Sequence, residues 1–543
     1  MPLPVALAIG TALLTILPSA SPPVRPPAPP PPAAAAAAAY DSLLALFPAW
    51  RAFHAPVRVD DVPDYTAPAM ARQAAELGQW QARLAALDTT GWTIAQRIDH
   101  ALVQAEMAGL EFDHRTLRPW VRDPSYYVTV FLDQSDQPAR EGPHVWGGIE
   151  VWAMRFPLGS ADRASLLAGL RRIPPLLQQA RGNLTGNARD LWIRGTATVK
   201  DQLADLATLK GRVGTDAELV AAIDAATDAT RQFAAWCDAQ APYKLGPSGV
   251  GIAEYDWWLK HVQLVPYTWA EQKVLVEREL GRSLTFLRLE EARNAGRPPL
   301  REVATPAEYD RRFPAAVRDY VKFLRQKDLM TIEPWHEPAL MERIGRFRPP
   351  PRDFFYEVDY RDPMVMRTHG FHWFDLARLR ERPHPSVIRR TPGLYNMFAT
   401  RTEGLATGWE EMMLQAGMFD REPRSRELIY ILLAQRGARA MGDLMMHANL
   451  WTIEQAARFA SEHTPRNWLR MDGNTVWHEQ QLYLQQPAYG TSYVIGKMMI
   501  EELLEARQQA EGPAFRLRGF MDALEASGLI PQSLVGWEVL GRR

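Results

Sequence analysis

Histidines and carboxylates cluster in the second half of the chain at a spacing that suits a metal site. His369 and His372 are three residues apart, so on a helix their imidazoles lie on one face and can bind one divalent cation. Asp375 follows after three more residues and could orient an imidazole or act as a base. The alternative is a helix with two hydrogen-bonded histidines and an aromatic core face, because an H-x-x-H spacing alone does not identify a ligand pair.

Further polar residues downstream could complete such a site. Glu403 and Glu410 are seven residues apart, which places them on one face of a helix, and zinc sites commonly take a third ligand from a separate helix. We therefore predict Glu403 as the third ligand. Glu410 is either a base or positioning group for the site, or an ordinary solvated carboxylate. His447 and Tyr493 could stabilise a developing oxyanion, although each alone is more often structural.

The elements around these residues are predicted to be helices, and the fold class is mainly α with at most a small β-sheet. The segment between Pro363 and Pro383 is long enough for about five helical turns. Prolines are predicted to mark the joins between helices, and Pro174 and Pro175 form one such pair. Alternation over residues 126–132 predicts a strand. Four long stretches without proline carry apolar residues at helical steps: residues 219–236, 269–291, 428–444 and 492–509.

Charge and cysteine content exclude several classes of protein. Lys and Arg total 62, Asp and Glu total 63, and the formal net charge is −1. A nucleic-acid-binding protein usually has a basic excess, so nucleic acid is not an expected partner. Cys237 is the single cysteine. It excludes an intramolecular disulfide and a multi-cysteine zinc site, so any metal site must use histidine and carboxylate ligands.

The N-terminal region reads as an export signal followed by a linker. Residues 1–20 contain an apolar run and then small residues that suit cleavage. Residues 21–39 are rich in proline and then alanine, which predicts an extended tether. Residues 40–543 are predicted to form a single large helical domain, without a segment long and apolar enough to cross a bilayer. We expect a periplasmic or secreted bacterial protein.

Four segments resemble the large bacterial family called domain of unknown function 885. They occur in the family's order, and Glu403 and Glu410 stand in register with the two glutamates of its E-G-W-A-L-Y-x-E motif. The resemblance implies a gluzincin-like zinc metallopeptidase with a large helical body, a central groove and a peptide substrate. The segments are Gly251–Leu259, Glu403–Glu410, the stretch from His447 to Trp451-Thr-Ile-Glu454, and Tyr483–Gly496.

The chain departs from this family at the metal-binding helix. The family carries H-E-x-x-P-G-H-H-L-Q there, and His372 aligns with its later histidine. The His-Glu pair then falls on Met366 and Arg367, and neither a thioether nor a guanidinium can replace a zinc ligand or a general base. Either His369 and a different acid, Asp375, Glu410 or Glu411, rebuild the site in a shifted register, or hydrolysis has been lost.

Two functions follow from these residues. The first is an exported zinc-dependent peptide hydrolase with metal ligands His369, His372 and Glu403. Its base would be Glu410 or Asp375, and Tyr493 and His447 would stabilise the tetrahedral intermediate. The second is a catalytically degenerate protein that binds peptides or a cell-envelope partner without cleavage. In this case Arg367 would take over the positive charge of the metal and bind a carboxylate.

Overall fold

Stretches with apolar residues at helical steps form long helices in the computed structural model, which describes residues 33–542. The four stretches predicted from the sequence lie within Ala217–Gln240, Trp269–Arg293, Ser425–His447 and Tyr489–Glu511. Each helix buries the predicted apolar stripe, as expected when packing of one face supplies most of the helical stability. The prediction of a mainly α, large helical body is confirmed.

Twenty-two α-helices lie within the described residues, and six short 3₁₀ turns and two π-helical turns accompany them. The helices are α1 (Ala33–His54), α2 (Ala67–Ala85), α3 (Ile94–Phe112), α4 (Pro119–Arg122), α5 (Ser160–Asn183), α6 (Arg189–Arg212), α7 (Ala217–Gln240), α8 (Ile252–Trp258), α9 (Trp269–Arg293), α10 (Pro306–Lys327), α11 (His336–Met341), α12 (Phe354–Arg361), α13 (Pro363–His369), α14 (Phe371–Glu381), α15 (Val387–Arg390), α16 (Ala399–Gln415), α17 (Ser425–His447), α18 (Ile453–His463), α19 (Thr475–Gln485), α20 (Tyr489–Glu511), α21 (Leu517–Ala526) and α22 (Gln532–Leu540).

Strands are few and short among the described residues. The antiparallel pair is β1 (Arg58–Val59) with β2 (Val62–Pro63), and the parallel pair is β3 (Val130–Phe131) with β4 (Ile149–Glu150). The strand predicted over residues 126–132 is therefore reduced to two residues. A 3₁₀ turn covers Pro124–Tyr127 and residues 126–130 are all buried, so the alternation in the sequence does not mark a strand with one buried and one exposed face.

Two predictions about helix ends were wrong. Pro174 and Pro175 lie inside α5 and do not mark a join. Their neighbours Ile173, Leu176 and Leu177 are buried, so packing of this face outweighs the backbone hydrogen bonds that proline removes.

The segment from Pro363 to Pro383 is two helices, not one. α13 ends at His369 and α14 begins at Phe371, and Gly370 between them packs closely against Leu340. A Cβ atom at position 370 would stand 2.5 Å from a Leu340 methyl carbon, so the break is fixed by packing as well as by backbone conformation.

The centre of the body is formed by α16, α17 and α20 with α9 against them. α16 is buried on every side over most of its length. It crosses α20 at two glycines: a Cβ atom at Gly404 would lie 2.3 Å from the backbone of Gly496, and one at Gly496 would lie 2.1 Å from the carbonyl oxygen of Thr400. The backbones therefore touch directly, which places the polar residues of both helices side by side.

The N-terminal predictions fall partly outside the described residues. The signal sequence at residues 1–20 and most of the linker at residues 21–39 are not described, and these boundaries stay predictions. The alanine run does not continue the extended tether, because α1 already begins at Ala33. Cys237 is a buried apolar residue of α7. Among residues 33–542, no helix has the length and apolar character that a bilayer span requires.

Candidate metal site

His369 and His372 meet at the break between two helices. His369 is the last residue of α13 and His372 is the second residue of α14. Their ring centroids are 5.0 Å apart, with an angle of 75° between the planes. The break at Gly370, and not a shared helix face, therefore brings the imidazoles together. Burial lowers the pKa of His369, so this imidazole is held in the neutral form that a metal requires.

Asp136 is the third possible ligand, and sequence reasoning missed it. It lies on the irregular segment 132–148 between β3 and β4, and one ligand atom each from Asp136, His369 and His372 lie within 4.8 Å of one another. Zinc ligands at about 2.0–2.2 Å from one ion are roughly 3.4 Å apart in tetrahedral geometry. A modest closure of the three groups would therefore hold an ion, and two imidazoles with a carboxylate are a donor set that suits zinc.

Glu403 stands next to His372, as the prediction of a shared site requires. Its Oε2 is 3.3 Å from Nε2 of His372, and both side chains are almost fully buried. Burial disfavours charge on His372, but Asp136 and Glu403 outweigh it and raise the pKa of His372 to about 9. Burial also opposes charge on Glu403, but the neighbouring imidazolium lowers the pKa of Glu403 to about 2. Without a metal, the two groups form an ion pair.

Gln137 lies between the two members of this ion pair. Its amide nitrogen donates to Oε1 of Glu403 at 2.8 Å and is 3.2 Å from Nδ1 of His372. Its amide oxygen accepts from Thr402 Oγ1 at 2.8 Å. Nε2 of His372, by contrast, is buried and its one polar neighbour is the Glu403 carboxylate at 3.3 Å, a contact too poorly aligned to be a regular hydrogen bond. That atom is the one that remains for a metal.

Tyr489 links Glu403 to a second buried acid, Glu141. The phenol oxygen is 2.5 Å from one carboxylate oxygen of each. A phenol has one proton, so it can donate to only one of the two carboxylates at a time. Burial and the charges of Asp136 and Glu403 raise the pKa of Glu141 to about 7. Glu141 is therefore the acid that changes protonation near neutral pH.

Glu410 contacts His369 but is held by an arginine. Arg436 donates two hydrogen bonds to Glu410, at 2.6 and 2.7 Å, and Glu410 Oε1 is 3.0 Å from Nδ1 of His369. Burial would raise the pKa of Glu410, but Arg436 outweighs it and lowers the pKa. A carboxylate paired in this way is a poor proton acceptor. The contact suits a residue that positions His369.

The structure separates two other candidate acids from the imidazoles by giving them different partners. Asp375 binds Arg401 through both oxygens, at 2.7 and 2.8 Å. Glu411 forms ion pairs with Arg282 and Lys497. These buried pairs join helices to one another, so neither acid is available to orient an imidazole or to accept a proton from water.

His447 and Tyr493 differ in whether their polar atoms are available to a ligand. His447 is fully buried, with Nε2 2.9 Å from the carbonyl oxygen of Tyr483 and Nδ1 accepting from the Val250 amide at 3.4 Å. Both ring nitrogens therefore have backbone partners. Tyr493 is partly exposed, its ring lies under the Arg439 guanidinium, and Glu403 is among the charges that its hydroxyl senses. Tyr493 remains a possible donor to a ligand.

Met366 and Arg367, which the sequence resemblance aligned with a His-Glu pair, contact other partners. Arg367 binds Asp359, at 3.1 and 3.2 Å, and Met366 packs against an apolar cluster. The cation that lies beside the imidazoles is Arg436. The prediction that Arg367 binds a peptide carboxylate in place of the metal needs a free guanidinium, and Arg367 is paired with Asp359.

A family model matches the C-terminal third of the chain. Residues 372–539 match the family described as "Bacterial protein of unknown function (DUF885)". The match confirms the resemblance over these residues, which include Glu403, Glu410 and Tyr493. His369 and Asp136 lie before it. No curated protein matches the sequence.

Two solved bacterial structures share the fold over almost their whole length. The first, described as "a putative lipoprotein of unknown function" from Shewanella oneidensis, has a TM-score of 0.64 at 18% identity, and the match covers 93% of this chain and 98% of that one. The second, described as "the putative lipoprotein" from Colwellia psychrerythraea, has a TM-score of 0.62 at 14% identity with the same coverage. At these identities the likeness establishes the fold alone.

Proposed function

We propose that this chain is an exported metal-dependent hydrolase that cleaves peptide bonds, with zinc as the metal. The observation that carries the proposal is the convergence of two buried or half-buried imidazoles and a carboxylate, His369, His372 and Asp136, on one point. Glu403 is kept in the proposed ligand set because its Oε2 lies 3.3 Å from Nε2 of His372. When bound, zinc supplies a Lewis acid that activates water and polarises a carbonyl group.

The residues around the ligands supply the other functions that hydrolysis needs. Glu141 has a pKa of about 7 and is joined to Glu403 through the hydroxyl of Tyr489, so we propose it as the proton acceptor in place of Glu410 or Asp375. Glu410 and Arg436 position His369. Tyr493 is proposed to stabilise the charge that develops on the carbonyl oxygen. His447 keeps a structural role.

Export is part of the proposal and rests on the N-terminal sequence. The descriptions of the two structural relatives as lipoproteins are compatible with it.

A second candidate function, peptide binding without cleavage, is favoured by one specific contact. The Gln137 amide bridges His372 and Glu403, and Arg436 neutralises Glu410 beside His369. His372, Glu403 and Glu410 therefore have charged or hydrogen-bonding partners without a metal. A protein that had lost hydrolysis could retain this arrangement and bind a peptide over it.

Metal content of the purified chain separates the two functions. We expect about one zinc per chain after zinc-supplemented expression, and less than about 0.2 in the double variant His369→Ala, His372→Ala, because both nitrogen ligands are removed. The matched control is His463→Ala, since His463 is exposed and bonds only within its own helix. Thermal melting of each variant checks folding.

Wild-type chain with less than about 0.2 zinc would contradict the metal proposal. A zinc-loaded chain that leaves a pool of fluorogenic peptides uncut, but binds them, would support the second function.

A further inference from the structure

A separate cavity of about 460 Å³ is lined in part by residues 138–147, which follow Asp136 in the same irregular segment. Its wall is formed by the ends of α1 and α3, by residues 138–147, by residues 392–396 and by residues 485–487. Aromatic rings supply much of the lining, including Trp120, Tyr126, Trp146, Trp258 and Tyr395. We call it the aromatic cavity. None of the proposed metal ligands lines it, so it is a second place where a ligand could bind.

Four polar atoms of the lining residues are buried without a hydrogen-bond partner among the described residues. They are His54 Nδ1, Asp113 Oδ1, Asn396 Oδ1 and Gln486 Nε2. The two oxygens are acceptors, the Gln486 nitrogen is a donor, and the His54 nitrogen takes either role according to its tautomer. Unpartnered buried groups are costly and rare in folded proteins. Four around one cavity indicate a site built for a ligand with several hydrogen-bond donors.

The formal charges of the lining leave Asp113 uncompensated. The two arginines of the wall already have carboxylate partners, Arg51 with Glu106 and Arg140 with Glu150. Asp113 forms no ion pair with any residue in the described range 33–542, and burial raises its pKa to about 8, so its carboxyl group keeps its proton at neutral pH until a cation enters the cavity and favours the charged form. The aromatic rings around it offer negative faces to a cation.

Several residues in the wall of the aromatic cavity have backbone conformations that are energetically unfavourable. Asp113 opens a π-helical turn, Asp113–Leu117, a conformation often found at functional sites. Tyr395 and Asn396 have positive φ values of 62° and 45°, which are unfavourable for residues with side chains. Gly109 makes room for the Tyr395 ring, since a Cβ atom there would lie 2.2 Å from it. The Tyr395 hydroxyl is thereby held 2.7 Å from His54 Nε2.

We propose that the aromatic cavity binds a small organic cation, a primary ammonium group carried on an apolar or aromatic body, with Asp113 as its counter-ion. An ammonium group has three donors and no acceptor, which matches the free oxygens of Asp113 and Asn396. The Gln486 amide would donate to a carbonyl group of the same ligand. This binding does not depend on the metal site.

The test compares two probes on the full chain by titration calorimetry at neutral pH. L-phenylalaninamide carries the ammonium group, a carbonyl and an aromatic ring, and 3-phenylpropanamide lacks only the ammonium group. We expect saturable one-to-one binding of the first, and binding of the second that is weaker by about tenfold or more, because a charge-assisted hydrogen bond is lost.

The variant Asp113→Asn keeps the size of the side chain and removes its charge. It should weaken binding of L-phenylalaninamide by about tenfold or more, with Asp310→Asn, an exposed acid on α10, as the control that binds as wild type. Equal affinity for both probes, unchanged affinity in the folded Asp113→Asn variant, or no saturable binding to wild type would each overturn the proposal. If the variant does not fold, the comparison of probes on wild type still decides.

Discussion

The metal site and the aromatic cavity handle buried charge in opposite ways. At the metal site two buried carboxylates have charged partners, Glu403 with His372 and Glu410 with Arg436. In the aromatic cavity Asp113 has no cation beside it among the described residues. A buried charge that has a partner is part of the stable fold. A buried acid without a partner lowers the stability of the fold and remains available to bind a ligand.

Opposite effects on stability follow from this difference. Removing a partner from a buried pair leaves an uncompensated charge, so the folded state should be strongly destabilised. Removing the unpaired charge relieves a desolvation penalty, so the folded state should become more stable. Arg436→Met tests the first expectation and Asp113→Asn tests the second.

The largest effect is expected for Arg436→Met. It leaves Glu410 fully buried without its arginine, and loss of one member of a buried pair costs about 3–5 kcal/mol. Denaturant unfolding measures the change. The control Arg231→Met removes a pair with Asp228 in which both side chains are more than half exposed, and should change stability by less than about 0.5 kcal/mol. A loss below about 1 kcal/mol for Arg436→Met would show that Glu410 is solvated or protonated.

A smaller effect of opposite sign is expected for Asp113→Asn without ligand. The folded pKa of about 8 lies above the ordinary carboxyl value, so between about pH 4 and pH 8 the folded state binds a proton that the unfolded state has lost. Stability of wild type therefore falls as pH rises through this window. The variant should be more stable by about 1–3 kcal/mol above pH 8, with no gain near pH 4. Melting curves at both pH values measure this gain in stability, with Asp310→Asn as the control. A gain that does not grow with pH would contradict the prediction.

The smallest effect is expected for Tyr489→Phe and rests on the proposed hydrolysis. Its hydroxyl lowers the pKa of Glu141 against the effect of burial. Without it, the pKa of Glu141 should rise, and the acidic limb of the pH–rate profile should move to higher pH by about one unit or less, the value of one hydrogen bond.

Tyr483→Phe is the matched control for that experiment. The Tyr483 hydroxyl is buried but has no hydrogen-bond partner among the described residues, so its loss should leave the profile in place. A shift to lower pH in Tyr489→Phe, or an equal shift in both variants, would remove Glu141 from the proposed role.

Local patterns in the sequence predict the helices well and the tertiary contacts of the site poorly. The stretch predicted as residues 219–236 is a helix at Ala217–Gln240, because apolar spacing within one helix depends on near neighbours. Pro174 and Pro175 misled the prediction because the burial that keeps α5 continuous comes from other parts of the chain. The break at Gly370 likewise depends on contact with Leu340.

The site could be predicted where its residues are close in sequence or match a motif. His369, His372, Glu403 and Glu410 do lie together. Asp136 and Gln137 could not be found in this way, because they lie on an irregular segment and Gln137 is 235 residues from the histidine it contacts. The only local signal was a run of polar residues between two short apolar stretches. Arg436 and Asp375 show the same limit, since the partner of a buried charge is chosen by helix packing.

The crossing of α16 and α20 explains why a glycine follows Glu403. Gly404 directly follows Glu403, and the contact with Gly496 leaves no space for a methyl group at either position. The glycine of the E-G pair is thus a spacer between two backbones and takes no part in chemistry. Distant relatives should have small residues at positions 404 and 496 together. A larger residue at either position must widen the helix crossing and draw the Glu403 carboxylate away from the Tyr489 hydroxyl.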